Sequence, residues 1–295
     1  MIPPPFRYLA PTSLEAALAL LAEHDGAAVL AGGQSLINAL KLDLVAPPIL
    51  VDVHRLAELR TVEEQEGALR IGAAVTYSEL ARHPLVREKL PVLADVASTL
   101  VDRQVRNRGT IGGNCCLNDP TNNFPPLLAA LDASFEIRQH GHEPQSIAAD
   151  DFFLGTLLTV AHGPALLTAV NVPAHPTTVD VSYRHHLIGA DSWALARAVI
   201  RVDTDGDDVV GARAYLGAVT DSPRRLLAVE AALTGSALGS ATVQSALAAF
   251  DTEPLEMHGD SHASAAYRLA LARVQVKRAV TDVVVGHFRT EEAAA

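Results

Sequence analysis

Two short segments constrain this chain more than any other feature. Ala31-Gly32-Gly33-Gln34-Ser35-Leu36 and Thr110-Ile111-Gly112-Gly113-Asn114 each set a glycine pair among small hydrogen-bonding residues, with Gly112 lying 80 residues beyond Gly32. Glycine admits positive φ and lets another group approach the backbone closely. Successive N–H groups at such a turn make a concave site for an anion, and a helix start adds partial positive charge. Each segment therefore reads as a backbone cradle that suits a pyrophosphate, and in the second the Thr110 hydroxyl and Asn114 amide add side-chain partners. Taken singly, either glycine pair is also ordinary punctuation between a strand and a helix. Neither is a Walker loop, because no Gly-Lys-Ser/Thr follows, and neither is a GxGxxG fingerprint.

Composition removes several classes of function. The 295 residues are 49% hydrophobic and 19% charged, enough for more than one packed domain and too apolar for disorder. The net charge of −11 argues against nucleic acid, which calls for a basic face. The two cysteines, Cys115 and Cys116, are too few for an iron–sulfur cluster held by four thiolates or for a disulfide framework. They fit a reducing compartment. The segment Met1-Ile2-Pro3-Pro4-Pro5-Phe6 lacks the pattern of a signal peptide, and no long uncharged apolar stretch is present, so a cytoplasmic protein without a membrane span is expected.

Periodicity divides the chain into three regions. In the first, a helix from Ser13 to Leu21, capped by Thr12 or Ser13, precedes a buried strand at Ala27–Leu30, the first glycine turn, a helix over Ser35–Leu40 and a buried strand at Ile49–Val53. The second holds a strand at Leu69–Ala73, a short helix at Thr76-Tyr77-Ser78-Glu79 with capping-box spacing, and one helix from Pro91 to Arg106 ending at the second glycine turn. A helical turn at Pro126–Leu131 and a strand at Ser134–Arg138 follow. A linker containing Pro173, Pro176, Thr177 and Thr178 opens the third region, where strands Trp193–Val202 and Val209–Val219 flank Asp203-Thr204-Asp205-Gly206-Asp207-Asp208, and a long helix spans Ala263–Val285.

The two glycine segments, in this order and at this spacing, resemble the FAD domain of the xanthine dehydrogenase and carbon monoxide dehydrogenase family, the medium or flavin subunit of molybdenum hydroxylases. Further matching text is Pro11-Thr12-Ser13-Leu14-Glu15-Ala16, Ile71-Gly72-Ala73-Ala74-Val75-Thr76, Val105-Arg106-Asn107-Arg108-Gly109 and Asp119-Pro120-Thr121-Asn122-Asn123-Phe124-Pro125-Pro126. The resemblance covers nearly the whole chain. It implies an α+β fold: a PCMH-type FAD-binding domain over 1–175, with subdomains of about 1–54 and 55–175, then a smaller α+β domain over 176–290. It implies FAD as cofactor, with Val29, Leu30, Ala31, Gly32, Gly33, Gln34, Ser35 and Leu36 around the pyrophosphate. Thr110, Ile111, Gly113 and Asn114 would hold the other side, with Val101, Cys116, Leu117 and Leu167 nearby. Where the family has a carboxylate nine residues after the second segment's asparagine, this chain has Asn123; where it has the lysine of a Tyr-x-Lys segment, this chain reads Tyr183-Arg184-His185. His185 is thus a candidate contact in place of a lysine.

The implied activity is electron relay: a flavin takes electrons singly from an iron–sulfur centre and releases them in pairs. No residues here are suited to a cluster or a molybdenum cofactor, so the implied partners are a small [2Fe–2S] subunit and a large molybdopterin subunit, with NAD, a quinone or oxygen as acceptor. The alternative is a free-standing FAD-dependent oxidase or dehydrogenase, motivated by Asn123 and His185. The DxDGD run reads as an acidic hairpin turn rather than a calcium loop. Cys115-Cys116 reads as two buried thiols, and the pairs His258/His262 and His140/His142 read as surface residues rather than metal ligands.

Overall fold

Parallel strands need crossover connections, and the first fifty residues supply them. Strands β1 (Arg7–Leu9), β2 (Ala28–Leu30) and β3 (Ile49–Asp52) form a parallel sheet in the order β1-β3-β2. The central strand is buried at every position, as its unbroken apolar run requires. The crossover helix Leu14–Glu23 begins where the Ser13 side chain accepts from the Ala16 N–H, and buries Leu14, Ala17, Leu18 and Leu21 against Ile49 and Val51. The second crossover carries the first glycine segment and the helix Leu36–Lys41.

The computed structural model describes residues 2–100, 102–174, 178–189 and 192–294, with side chains described as far as His287. The candidate residue Val101 and the linker residues Pro176 and Thr177 lie outside the described residues. The chain forms two compact units, one made of Met1–Asn118 and Asp132–Ala174, the other of Asp119–Leu131 and His175–Ala295.

The rest of the first unit is antiparallel. Strands β4 (Val62–Gln65), β5 (Ala68–Gly72), β6 (Ser134–Arg138) and β7 (Gln145–Ala148) join β10 (Leu166–Pro173) in the order β4-β5-β10-β6-β7, while β8 (Phe153–Gly155) and β9 (Leu158–Thr159) form a hairpin. The capping box at Thr76 is present: its hydroxyl accepts from the Glu79 N–H, and the Glu79 carboxylate accepts from the Thr76 N–H. The helix expected over Pro91–Arg106 is two helices, Pro91–Thr99 and Arg103–Arg106. Ser98 and Thr99 turn their hydroxyls back onto the Asp95 and Val96 carbonyls, and Asp102 starts the second helix by accepting from the Val105 N–H. The second glycine segment is not a turn either: Ile111–Leu117 is helical, capped by Thr110.

In the second unit, β11 (Val179–Leu187), β12 (Ala194–Asp205), β13 (Asp208–Gly217) and β14 (Arg224–Arg225) form an antiparallel sheet in that order. The sequence reading assigns no strand over 179–187, where polar and charged side chains interrupt the apolar pattern. The acidic run is a two-residue hairpin turn at Gly206-Asp207, with Asp205 opposite Asp208 and Gly206 at φ 57. One face of β12, through Ala196, Ala198, Ile200 and Val202, packs with Ala272, Val276, Ala279 and Val280 of the long helix Ala265–Ala294. Alternation sends Arg197 and Arg201 to the other face, toward the buried helix Phe124–Ala130 and the loop before it. A Cβ on Gly217 would stand 2.9 Å from Pro126 Cγ, so only glycine admits this helix.

Candidate functional site

The first glycine segment is an open cradle. Among the described residues, the backbone N–H groups of Gly32, Gly33, Gln34 and Ser35 engage no acceptor. Gly33 is at φ 73, and the Gln34 amide donates back to the Gly32 carbonyl, which holds the turn in shape. Ser35 precedes the helix without capping it through its side chain. Such a row of free donors is an anion nest. Val29, Leu30 and Ala31, half-buried, lead into it, and Leu36 begins the helix behind it.

The two glycine segments meet, and Gly32 is the reason. A Cβ there would fall 2.1 Å from the Arg108 carbonyl oxygen and 2.9 Å from the Gly109 Cα. The second segment, however, is not a second open cradle. Its N–H groups are already used: Ile111 donates to the Val75 carbonyl, Gly112 to Ala73, Gly113 to the Thr110 hydroxyl and Asn114 to the Thr110 carbonyl. Gly112 is glycine for packing, since a Cβ would stand 2.6 Å from Ala73. Ile111 is buried within the unit. What the segment presents is one helix face: Gly113 is exposed, and Cys116 and Leu117, three and four residues on, are half-buried beside it. Asn114 is held from within by a 3.2 Å hydrogen bond to the Tyr77 hydroxyl, and burial raises the pKa of that phenol, keeping it protonated.

A cavity of about 300 Å³ borders this junction, lined by His54, Arg60, Thr76, Glu79, Arg108 and Thr110 among others. Two carboxylates are held at or next to this lining, Glu79 within it and Asp52 through its bonds to His54. Burial pushes Asp52 up, but hydrogen bonds from the Tyr8 hydroxyl, the His54 N–H (3.0 Å) and the His54 ring (2.9 Å) outweigh it and hold the carboxyl below its ordinary range. Burial likewise opposes the ionisation of Glu79, and the Thr76 donors together with Arg60 reverse it. None of the cavity residues except Thr110 stands out in the sequence as a site residue; they are drawn from four separate stretches of chain, at 54, 60, 74–82 and 107–110.

The remaining candidates divide between the units. Leu167 is a core residue of β10, 3% exposed, next to a bulge at Thr168. Asn123 and His185 belong to the second unit. The Asn123 amide oxygen accepts from the Tyr183 hydroxyl (2.8 Å) and from Arg197 Nη2 (2.6 Å). Burial pushes the Tyr183 phenol up against the pull of Arg197, so it stays a donor. Arg197, absent from the sequence expectations, is the hub here. Nothing in ARAVIRV distinguishes it from Arg201; its role comes from a loop 74 residues away.

Both cysteines are free thiols, and burial pushes Cys116 up to about 12 and Cys115 well above its ordinary value, so neither is a thiolate near neutral pH. His140 meets Glu15 (3.0 Å) and His258 meets Asp221 (3.3 Å), each on the surface. Among the described residues no group of three or more His, Cys, Asp or Glu is placed to hold a metal, and no helix is long and apolar enough to cross a membrane.

Comparison with known proteins covers both units. Residues 4–175 match the family described as the FAD binding domain in molybdopterin dehydrogenase, and residues 181–283 match the CO dehydrogenase flavoprotein C-terminal domain. The carbon monoxide dehydrogenase medium chain of Hydrogenophaga pseudoflava is 35% identical over 283 residues, covering 95% of this chain and 97% of its own length. The glyceraldehyde dehydrogenase medium chain of Sulfolobus acidocaldarius is 32% identical over 283 residues, covering 96% of this chain and all of its own. The structure of carbon monoxide dehydrogenase from Hydrogenophaga pseudoflava lacking the Mo-pyranopterin moiety matches with a TM-score of 0.92 over 97% of this chain and 99% of that chain.

Proposed function

The chain belongs to the FAD-binding family of molybdopterin dehydrogenases, carrying the flavoprotein C-terminal domain as well, and from that premise we propose that it is the electron-transfer subunit of a cytoplasmic hetero-oligomer. Its partners are a small [2Fe–2S] subunit and a large molybdopterin subunit, where the organic substrate is oxidised. The medium chains named above are its relatives along their whole length. The carrying observation is the row of four unengaged N–H groups from Gly32 to Ser35, pressed against Arg108-Gly109 at a spacing only glycine allows.

The residues fit FAD. A diphosphate needs donors without a competing carboxylate, and the nest offers backbone N–H groups and the Ser35 hydroxyl. Gly32, Gly33, Gln34 and Ser35 would bind the diphosphate, with Val29, Leu30, Ala31 and Leu36 shaping its approach. Thr110, Gly113, Asn114, Cys116 and Leu117 would line the cofactor along one helix face, with Ile111 and Leu167 supporting them from the core. Asn123 and His185 are proposed as cofactor contacts on the strength of the family resemblance alone. When bound, FAD supplies the conversion between one-electron and two-electron transfer. The chain's own part is to hold it, to exclude water around it and to set the charge beside it. The Tyr77 hydroxyl keeps the Asn114 amide oriented, and the neutral thiols Cys115 and Cys116 present no nucleophile to the ring.

The test is purification of the native protein with whatever accompanies it. Flavin and iron–sulfur absorption in one complex of three different chains is the expected result. A chain that purifies alone, and whose own FAD is reduced by a small substrate without molybdenum, would overturn the proposal.

A further inference from the structure

The cavity beside the glycine junction runs against the charge of the chain. Aspartate and glutamate outnumber lysine and arginine by 34 to 23, yet Arg60, Arg82, Arg108 and His54 line this space against one carboxylate, Glu79. That carboxylate is already engaged: it accepts from the Thr76 N–H (2.9 Å) and hydroxyl (2.7 Å) and pairs with Arg60. The other two arginines are not. Among the described residues the guanidiniums of Arg82 and Arg108 meet no carboxylate and no other acceptor. None of Gly32, Gly33, Gln34 and Ser35 lines this space, so its donors are separate from the N–H row of the cradle.

Two further lining residues are held so that a hydrogen-bonding end is left over. The Asn107 amide oxygen accepts from the Ser78 hydroxyl (2.7 Å), which leaves the amide NH2 for a ligand. His54 is fixed from behind. Its backbone N–H (3.0 Å) and its ring Nδ1 (2.9 Å) both meet Asp52 Oδ1, and the Tyr8 hydroxyl donates to the other oxygen of that carboxylate. An ionised carboxylate only accepts, so Nδ1 carries the proton, and Nε2 is the ring nitrogen without a partner among the described residues. A phenol, a carboxylate and an imidazole in series thus end at the cavity on an unclaimed nitrogen.

We propose that this cavity binds the phosphate group of a small phosphate monoester, with Arg82 and Arg108 supplying the charge and Asn107 and His54 the oriented neutral contacts. Two unpaired guanidinium forks suit a tetrahedral dianion, whereas a planar carboxylate is satisfied by one. His54 Nε2 meets a phosphate oxygen as imidazolium, or accepts from a P–OH or a sugar hydroxyl when neutral. A space of about 300 Å³ is at the lower end of small-molecule sites and larger than a bare ion requires, so the ligand carries an organic group as well. The site goes beyond the flavin reading and does not depend on it, since the cofactor's diphosphate is assigned to the N–H row.

The experiment is a calorimetric titration of the purified native complex, at constant ionic strength, with inorganic phosphate, adenosine 5′-monophosphate, adenosine and succinate. Phosphate and the nucleotide are expected to bind, with adenosine and succinate weaker by about tenfold or more. Arg82→Gln and Arg108→Gln, which alter exposed side chains, are each expected to weaken the nucleotide about tenfold. Arg103→Gln, exposed and outside the cavity, should leave it unchanged. Excess FAD should not alter the titration. Phosphate binding that survives both arginine substitutions at full strength places the anion elsewhere, and the proposal is then wrong. It is equally wrong if phosphate does not bind, if succinate binds as tightly, or if added FAD displaces the phosphate, which would make the cavity part of the cofactor's own site.

Discussion

At the scale of single residues, the cradle depends on hydrogen atoms standing where side chains would otherwise be. Gly32→Ala drives a methyl into the Arg108 carbonyl, a contact that only backbone movement relieves. A loss of about 1–3 kcal/mol in stability is expected from such overpacking, together with a fall of about tenfold or more in bound flavin, since the segments must part. Denaturant melts and the flavin-to-protein absorbance ratio measure the two effects separately. Gly113→Ala sets its Cβ 2.9 Å from the capping Thr110 hydroxyl on an exposed face, so it should cost no more than the cap's share of about 1 kcal/mol while losing flavin. Asp52 gives a pH signature. Its folded pKa lies below the ordinary carboxylate value, so its contribution is complete above the unfolded pKa of about 3.9 and is lost as pH falls through the folded value. Tyr8→Phe removes a donor and should raise the Asp52 pKa, so the acid limb of the stability curve moves toward higher pH. An acid limb identical to that of the natural chain would show that the Tyr8 bond contributes nothing. Of the cradle, Gly32, Gly33 and Ser35 were readable from sequence because a nest is local. The cavity lining was not, because its residues arrive from separate segments, and within the second unit the Arg197 hub was not, because its partners lie in a distant loop.

At the scale of elements, local signals were legible wherever a cap or an apolar period was clear: Ser13 before Leu14–Glu23, Thr76 before Tyr77–Leu80, the apolar run of β3 and the alternation of β6. They failed over Ile111–Leu117, where two glycines, each unfavourable by about 1 kcal/mol in a helix, read as a turn. The helix forms because the Thr110 cap and the bonds to Ala73 and Val75 supply what propensity does not. Thr110→Ala is therefore expected to cost about 1 kcal/mol by calorimetry or urea titration, with valine no better. The far end of the same helix offers a second handle. Asn118, at φ 44, donates its amide to the Gly155 (2.7 Å) and Leu158 (3.3 Å) carbonyls and accepts from the Leu157 N–H, so it holds the β8–β9 hairpin. Asn118→Ala should lower stability by about 1–3 kcal/mol, because carbonyls lose their donor and alanine resists the left-handed region. Hydrogen exchange should show the loss concentrated at 153–159.

At the scale of the whole molecule, the interposition of Asp119–Leu131 into the second unit is not legible in the sequence. That segment is short, apolar and flanked by residues of the first unit, and only its packing under Gly217 reveals where it belongs. A fragment ending at Ala174 keeps Phe124, Leu127 and Leu128 but loses the sheet that covers them. It is expected to aggregate, and replacing 119–131 by a flexible Gly/Ser linker should restore solubility, as judged by size-exclusion chromatography. Equal behaviour of the two fragments would contradict this. Because the polypeptide passes from one unit to the other three times, neither half is a detachable module. A gene fusion, a split or a swap with a related subunit succeeds only if it carries the inner thirteen-residue insert along with the C-terminal half, which ties the inheritance of the cofactor cradle to that of the domain encoded after it.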